Sequence, residues 1–234
     1  MEFGFIEKAP FQSEVAHMKI AVLGGTGNLG IGLSLRLAIL GYEVIVGSRS
    51  EEKAKLKAEE YRKILSEKGF AGKLSGMTNS EASKICDIAI VTIPWEQAFE
   101  LVKNLKGELA GKIVVSPLVP MKKEGKTFRY VELSEGSAAK KLAGILKESE
   151  IVAAYHSIPA DRFANLEADF DWDVIVCGNG DAKETIMEIT DDIDGLRVLD
   201  GGDLENSRLV ESLTVLILNL MTMNKLRDLG IKFC

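Results

Sequence analysis

Short apolar runs bounded by turn residues alternate along this chain with longer segments of helical period. That is the pattern of β–α–β units, in which parallel strands are buried on both faces. Lys19–Leu23 predicts a first buried strand, and Gly27–Leu40 a helix that is apolar on nearly every side and stops at Gly41. Glu43–Val46 predicts a second strand. Ser50 to about Lys68 predicts a surface helix whose inner face carries Ala54, Ala58, Tyr61 and Leu65. Asp87–Ile93, Lys112–Val115, Ile151–Tyr155 and Val174–Cys177 predict further buried strands, with helices over Gly136–Lys147 and Asp181–Ile189. The expectation is an α/β fold: a mostly parallel sheet with helices on both faces, over residues 18–200, plus a small C-terminal helical domain over residues 201–234. Residues 1–17 precede the pattern and are expected to be a poorly ordered extension.

Two features of the pattern point to a cleft. Three strands end at prolines, in Thr92-Ile93-Pro94-Trp95, Ser116-Pro117-Leu118-Val119-Pro120 and Ser157-Ile158-Pro159. Proline ends a ladder and fixes the backbone, and the carboxyl ends of parallel strands border the ligand crevice of an open sheet. The last helix, about Ser207–Leu226, is apolar except for a narrow stripe of Arg208, Glu211, Ser212, Asn219 and Thr222. Such a stripe is expected to face a ligand site or a subunit interface.

Composition narrows the function. The chain has 234 residues, 46% hydrophobic and 27% charged, with a net charge of −6, which disfavours nucleic acid as a partner. Cys86, Cys177 and Cys234 are widely spaced, and with two histidines they supply no metal-binding spacing. No metal is expected, and the setting is expected to be reducing and cytoplasmic. No run approaches the ~20 apolar residues of a membrane span. Leu213–Met223 comes nearest and is broken by Thr214, Asn219 and Thr222.

Gly24-Gly25-Thr26-Gly27-Asn28-Leu29-Gly30 contains G-x-G-x-x-G between the first strand and the first helix, the context of a Rossmann-type dinucleotide site. Gly25 permits the tight turn, Gly27 lets a pyrophosphate reach the backbone, and Gly30 lets helix pack on strand. The open N–H groups and positive dipole end of the helix hold the phosphates. At the end of the second strand an NAD enzyme carries an acidic residue for the ribose 2′-hydroxyl. Here the chain reads Gly47-Ser48-Arg49-Ser50, with Lys53 one turn on, which favours the 2′-phosphate of NADP.

The acid–base pairs of common nicotinamide enzymes are missing. No tyrosine has a lysine four residues on, and the Lys-x-x-Asn pair of β-hydroxyacid dehydrogenases is absent. Hydride transfer with little proton traffic, such as to another ring cofactor, fits best. The residues by themselves leave three readings open: that reaction, an NADP-dependent reductase of a flavin, imine or keto substrate, and a non-enzymatic NADP-sensing module.

The motifs together resemble the archaeal F420-dependent NADP reductases (coenzyme F420:NADP⁺ oxidoreductases). The matching segments are the glycine turn, Gly47-Ser48-Arg49, Thr92-Ile93-Pro94-Trp95-Glu96, Val115-Ser116-Pro117-Leu118-Val119-Pro120, His156-Ser157-Ile158-Pro159-Ala160 and Arg162-Phe163-Ala164-Asn165-Leu166. Asn206-Ser207-Arg208-Leu209-Val210-Glu211-Ser212-Leu213-Thr214 and Leu229-Gly230-Ile231-Lys232-Phe233 complete them. The departures are the first 17 residues and a longer segment near Ser66–Lys73.

The resemblance implies reversible hydride transfer between NADP(H) and the deazaflavin coenzyme F420. It implies that Thr26, Gly27, Asn28 and Leu29 hold the pyrophosphate, and Ser48, Arg49 and Lys53 the 2′-phosphate. Ile93, Ala160 and Leu229 would lie along the nicotinamide half. His156, Ile158, Arg208, Ser212 and Thr214 match positions around the nicotinamide and deazaflavin, although Thr214 lies off the polar stripe by angle. A homodimer or higher homo-oligomer is expected, because the apolar last helix needs cover.

Overall fold

The computed structural model describes residues 18–234, so the expectation for residues 1–17 lies outside the described residues. Six parallel strands form the central sheet: β1 (Lys19–Leu23), β2 (Glu43–Ser48), β3 (Lys73–Thr78), β4 (Ile88–Val91), β5 (Ile113–Ser116) and, after a β6–β7 hairpin (Met121–Glu124 and Thr127–Tyr130), β8 (Glu150–Ala153). Their order is β3-β2-β1-β4-β5-β8. Chain direction across the sheet reverses between β1 and β4, and that switch point opens a crevice at the strands' carboxyl ends. Residues on β1, β2, β4, β5 and β8 are almost all buried, as expected for strands covered on both faces.

Helices α1 (Asn28–Ile39), α2 (Glu51–Glu67), α3 (Asn79–Ile85), α4 (Trp95–Asn104) and α5 (Ala138–Ile145) cover that sheet. They divide its core into two apolar clusters, one holding Val22, Leu33, Val46 and Tyr61, the other Leu23, Val91, Val102 and Leu142. Beyond β8 follow α6 (Ala160–Ala164), β9 (Trp172–Val176), α7 (Gly180–Asp191), β10 (Leu196–Asp200) and the long α8 (Ser207–Asn224). Strands β9 and β10 pair in parallel, and an antiparallel bridge between Ala153 and Cys177 joins them to the end of β8.

Several expectations are corrected in detail. The strand expected over Asp87–Ile93 is confined to Ile88–Val91, because Thr92 and Ile93 already turn toward Pro94. Strands β3, β10 and the β6–β7 hairpin lie in segments that the apolar pattern passed over. The final helix ends at Asn224, where Lys225 takes a left-handed backbone (φ 54°) and caps it through its N–H on the Met221 carbonyl.

Packing settles where α8 faces. Glu211 is fully buried and accepts hydrogen bonds from the Ala138 N–H (2.9 Å) and Ala139 N–H (3.1 Å) in the first turn of α5, and from the Tyr130 hydroxyl (2.9 Å). A carboxylate at a helix N-terminus satisfies N–H groups that have no partner inside the helix and meets the positive end of its dipole. Asn219 binds both the N–H (2.7 Å) and the carbonyl (2.9 Å) of Phe128. So Glu211 and Asn219 of the polar stripe dock α8 onto α5 and the hairpin, inside one chain.

Candidate active site

The glycine turn follows β1 directly. Gly24 has φ +80°, a conformation that disfavours any side chain, and a Cβ there would lie 2.5 Å from Ile93 Cγ1. A Cβ on Gly30 would come within 2.6 Å of the Gly25 Cα, so α1 rests directly on the turn. Gly27 is the N-cap of α1 and offers no side chain to its first N–H groups, which stay available to an anion. The turn is also held from outside. The Gly24 N–H donates to the Gly47 carbonyl (3.1 Å) and to Asn79 Oδ1 (3.2 Å), and the Tyr61 hydroxyl donates to the Gly25 carbonyl (2.9 Å). Burial pushes the Tyr61 phenol well above its ordinary value, so it keeps that proton.

Two cavities flank the turn. One, of about 390 Å³, is lined by Thr26, Gly27, Ser48, Arg49, Lys53 and Asn79. Ser50 caps α2 by accepting from the Lys53 N–H, while the Ser48 hydroxyl accepts from the Ser50 N–H (3.3 Å). Those two bonds fix the backbone from which the exposed Arg49 and Lys53 side chains project. The second cavity, of about 800 Å³, is large enough for a ring pair. Its walls come from four distant segments: Asn28 and Leu29; Ile93 to Glu96; Pro117 to Val119; and His156 to Asp161. Met121 and Phe128 of the hairpin, Thr214, Ile217, Leu218 and Met221 of α8, and Asp228 and Leu229 close it. The two cavities share Gly27, Thr92, Ile93 and Pro94 in their linings, so they adjoin along the glycine turn and the end of β4, and together they make the cleft.

The proline-ended strands thus do line the cleft. Asn28 Nδ2 donates to Asp161 Oδ1 (2.8 Å), tying the start of α1 to α6 across it, and Trp95 Nε1 donates to the Met121 carbonyl (3.1 Å), tying α4 to the hairpin. Among the polar residues that line the larger cavity, His156 and Thr214 are the buried ones. Neither the imidazole nitrogens nor Thr214 Oγ1 has a hydrogen-bond partner among the described residues. Buried polar atoms are rarely left unmatched, and of those in the described residues only the ones of His156 and Thr214 belong to residues that line the larger cavity, where a ligand or water can reach them. Burial pushes the His156 imidazole down to about 3. The ring is therefore neutral at physiological pH, able to accept at one nitrogen and donate at the other.

Of the residues singled out in sequence, Thr26, Gly27, Asn28, Leu29, Ser48, Arg49, Lys53, Ile93, His156, Ile158, Ala160, Thr214 and Leu229 all border the cleft. Arg208 and Ser212 do not. Arg208 is exposed and pairs with Glu132 (2.7 Å), and the Ser212 hydroxyl donates back to the Leu209 carbonyl of its own helix (3.0 Å). The reason is angular: the stripe that carries them is turned to the hairpin, and Thr214, off that stripe, is the α8 hydroxyl facing the cleft. Asn79 was missed. It borders the nucleotide cavity from the start of α3, behind a strand that the apolar pattern did not reveal.

Comparison with known proteins agrees with this geometry. Residues 19–120 match the family model described as NADP oxidoreductase, coenzyme F420-dependent. A Methanocaldococcus jannaschii protein named F420-dependent NADP reductase is 39% identical over 218 residues, 92% of this chain and 97% of the relative. The chain belongs to the F420-dependent NADP reductases. A second family member, from Methanothermobacter marburgensis, is 37% identical over 92% of this chain and 97% of its own length. A solved structure of an F420-dependent NADP-reductase candidate from Arthrobacter sp. FB24 shares the fold, with a TM-score of 0.77 at 24% identity over 93% of this chain and 99% of that one.

Proposed function

We propose that this family member transfers a hydride reversibly between NADP(H) and coenzyme F420, both bound in the one cleft. The observation that carries the reading is that the two cavities adjoin, sharing Gly27, Thr92, Ile93 and Pro94 in their walls. A dinucleotide with its 2′-phosphate at Arg49 and Lys53 and its pyrophosphate on Thr26–Leu29 would send its nicotinamide toward His156. The larger cavity leaves room there for a second ring.

Each side of the cleft has a task in this reading. Arg49, Lys53 and the Ser48 hydroxyl hold the phosphate that distinguishes NADP from NAD. Ile93, Ala160 and Leu229 press on the nicotinamide half and exclude water. His156 and Thr214 offer hydrogen bonds to ring carbonyl or amide groups, and Ile158 packs beside them. The bound pair supplies the redox chemistry itself, since a nicotinamide carries the hydride and a deazaflavin receives it. The chain's contribution is orientation, with the rings about 3–3.5 Å apart. No ionising side chain is needed for that step, and a neutral imidazole suits it. Arg208 and Ser212 lie outside the linings of the two cavities, beside the α8 wall that carries Thr214.

Residues 201–234 act as a closing element over the nucleotide-binding unit of residues 18–200, since α8 and Leu229 form the outer wall of the larger cavity. Leu209, Leu216, Leu220 and Met223 form an exposed apolar stripe along α8. That stripe supports a homodimer built on this helix. No helix among the described residues is long and apolar enough to cross a membrane, and the buried, unpaired Cys86 and Cys177 fit a cytoplasmic setting. The test of the activity is optical. Protein mixed with NADPH and oxidised coenzyme F420 bleaches the deazaflavin's visible absorbance. Lack of bleaching with demonstrably active cofactor, or NADPH oxidation by an imine or keto acceptor instead, overturns the reading.

A further inference from the structure

Strand β8 ends in an unusual way. Along it the side chains alternate as a strand requires: Ile151 and Ala153 enter one apolar cluster, Val152 and Ala154 the other. Tyr155 should return to the first side. Instead it joins Val152 and Ala154, with its ring fully buried. The break in alternation comes from the backbone. Tyr155 has φ +67°, the left-handed region that a bulky residue enters only when its surroundings force it. The next residue is His156, whose ring then lines the larger cavity.

What holds the tyrosine is a short chain of hydroxyls. Tyr155 Oη lies 2.8 Å from Thr190 Oγ1, and Thr190 Oγ1 donates to the Ile186 carbonyl (2.6 Å). Thr190 has one hydroxyl proton and has spent it on Ile186, so Tyr155 is the donor in the first bond. Burial pushes the phenol up to about 12, so that donor is never lost near neutral pH. Thr190 lies near the end of α7, buried and remote in sequence from the cleft. The bond therefore anchors the end of β8 to α7, which packs in the same apolar cluster as Tyr155.

We propose that Tyr155 is a positioning residue for His156: its bond to Thr190 maintains the left-handed turn that directs the imidazole into the cleft. This rests on the reading of His156 as a wall of the nicotinamide site. It adds that the alignment of that ring is set by a tyrosine and a threonine that touch neither cofactor. The strain is local and the anchor distant, so loss of either hydroxyl leaves the fold intact and lets the turn relax toward an ordinary strand end. His156 then loses its fixed orientation.

The test uses Tyr155→Phe, Thr190→Val and Thr190→Ser in the full chain. Phe and Val remove one hydroxyl each at nearly constant volume, and Ser restores it. The expected result is a fall in kcat for F420 reduction of roughly ten- to a hundredfold in the first two, the size of a sub-ångström to ångström misalignment. KM for NADPH stays within about twofold, melting stays cooperative, and Thr190→Ser retains wild-type kcat. Because the chain has only two histidines, ¹⁵N-histidine labelling gives a second readout that needs no turnover. The His156 imidazole resonances, assigned with His156→Asn, shift on adding NADP⁺ in the wild type. They are altered before any addition in Tyr155→Phe and Thr190→Val. Unchanged kcat and unchanged imidazole resonances in both variants overturn the proposal, as does a Thr190→Ser variant as impaired as Thr190→Val. A wild-type protein inert toward F420 would overturn the functional reading instead, and the resonances alone would then decide the role of Tyr155.

Discussion

Glu211 is where the stability of this fold and the shape of its cleft meet. Glu211→Ala deprives three donors: the N–H groups of Ala138 and Ala139 and the hydroxyl of Tyr130. Tyr130 is only half-buried and its hydroxyl can turn to water, but the two N–H groups sit inside the α5–α8 contact. A buried donor left unmatched costs about 1–3 kcal/mol, so the alanine variant loses roughly 2–5 kcal/mol at pH 7. Glu211→Gln keeps one acceptor oxygen but points an NH₂ at a donor, and loses less, about 1–2 kcal/mol. The carboxyl also gives a signature in pH. Burial pushes it from 4.5 up to about 6, against the pull of its three donors. The folded state therefore holds a proton that the unfolded state releases, and stability falls as pH rises from 4.5 through 6. A difference of 1.5 pH units corresponds to about 2 kcal/mol. Urea unfolding followed by circular dichroism at pH 4.5 and pH 7 reads both effects. The gap between wild type and Glu211→Gln should be roughly 1.5 kcal/mol wider at pH 4.5, where the unfolded carboxyl is still half protonated. Thr214 lies three residues further along α8, so both variants should also raise KM for the second cofactor. An alanine variant within 1 kcal/mol of wild type at pH 7, or a gap that does not change with pH, refutes the reasoning.

Other expectations follow from single residues. Burial pushes the His156 imidazole from 6.5 down to about 3, so it costs stability as pH falls through that window, about 1.4 kcal/mol per unit. Melting of His156→Asn should be less acid-sensitive than wild type, and the comparison cancels the opposite contribution of Glu211. Arg49→Ala should weaken NADPH binding about tenfold or more and leave NADH binding unchanged. Equal loss, measured by the fluorescence of the reduced nucleotides, would show that Arg49 does not meet the 2′-phosphate. Leu216→Asp on the exposed face of α8 should give a monomer in sedimentation velocity if that stripe is the dimer contact, and a dimeric variant would exclude it.

How much was legible in the sequence depended on how local each constraint is. The buried strands announce themselves as apolar runs, and the nucleotide turn as glycines, because Gly24, Gly25 and Gly30 answer to steric demands within a few residues. Strand β3 was not visible. Its sequence, Lys73-Leu74-Ser75-Gly76-Met77-Thr78, is polar enough for an edge, and its packing rests on Gly76, where a Cβ would come within 2.2 Å of the Ala54 backbone in α2. The charged β6–β7 hairpin is stabilised from outside by Asn219 and Glu211 of α8, which bond Phe128 and Tyr130, and no local pattern reveals that. The last helix shows the limit most clearly. Its angular pattern identified the polar stripe, but only the tertiary contacts reveal that Glu211 and Asn219 are internal docking groups and that Thr214 turns to the cleft. Likewise the inner wall assembles His156 and Thr214 from elements far apart in sequence, a property of the fold rather than of any one segment.

The account stands or falls on direct transfer between two cofactors held in one cleft. NADPH deuterated at nicotinamide C4, on each face in turn, can be mixed with oxidised F420 and the protein in ordinary water, and the reduced deazaflavin examined by mass spectrometry and NMR. The account predicts that one of the two labels is carried intact to the deazaflavin C5 with the bleaching of its visible absorbance. Reduced F420 carrying only solvent hydrogen from both labels, or no reduction at all, would contradict it.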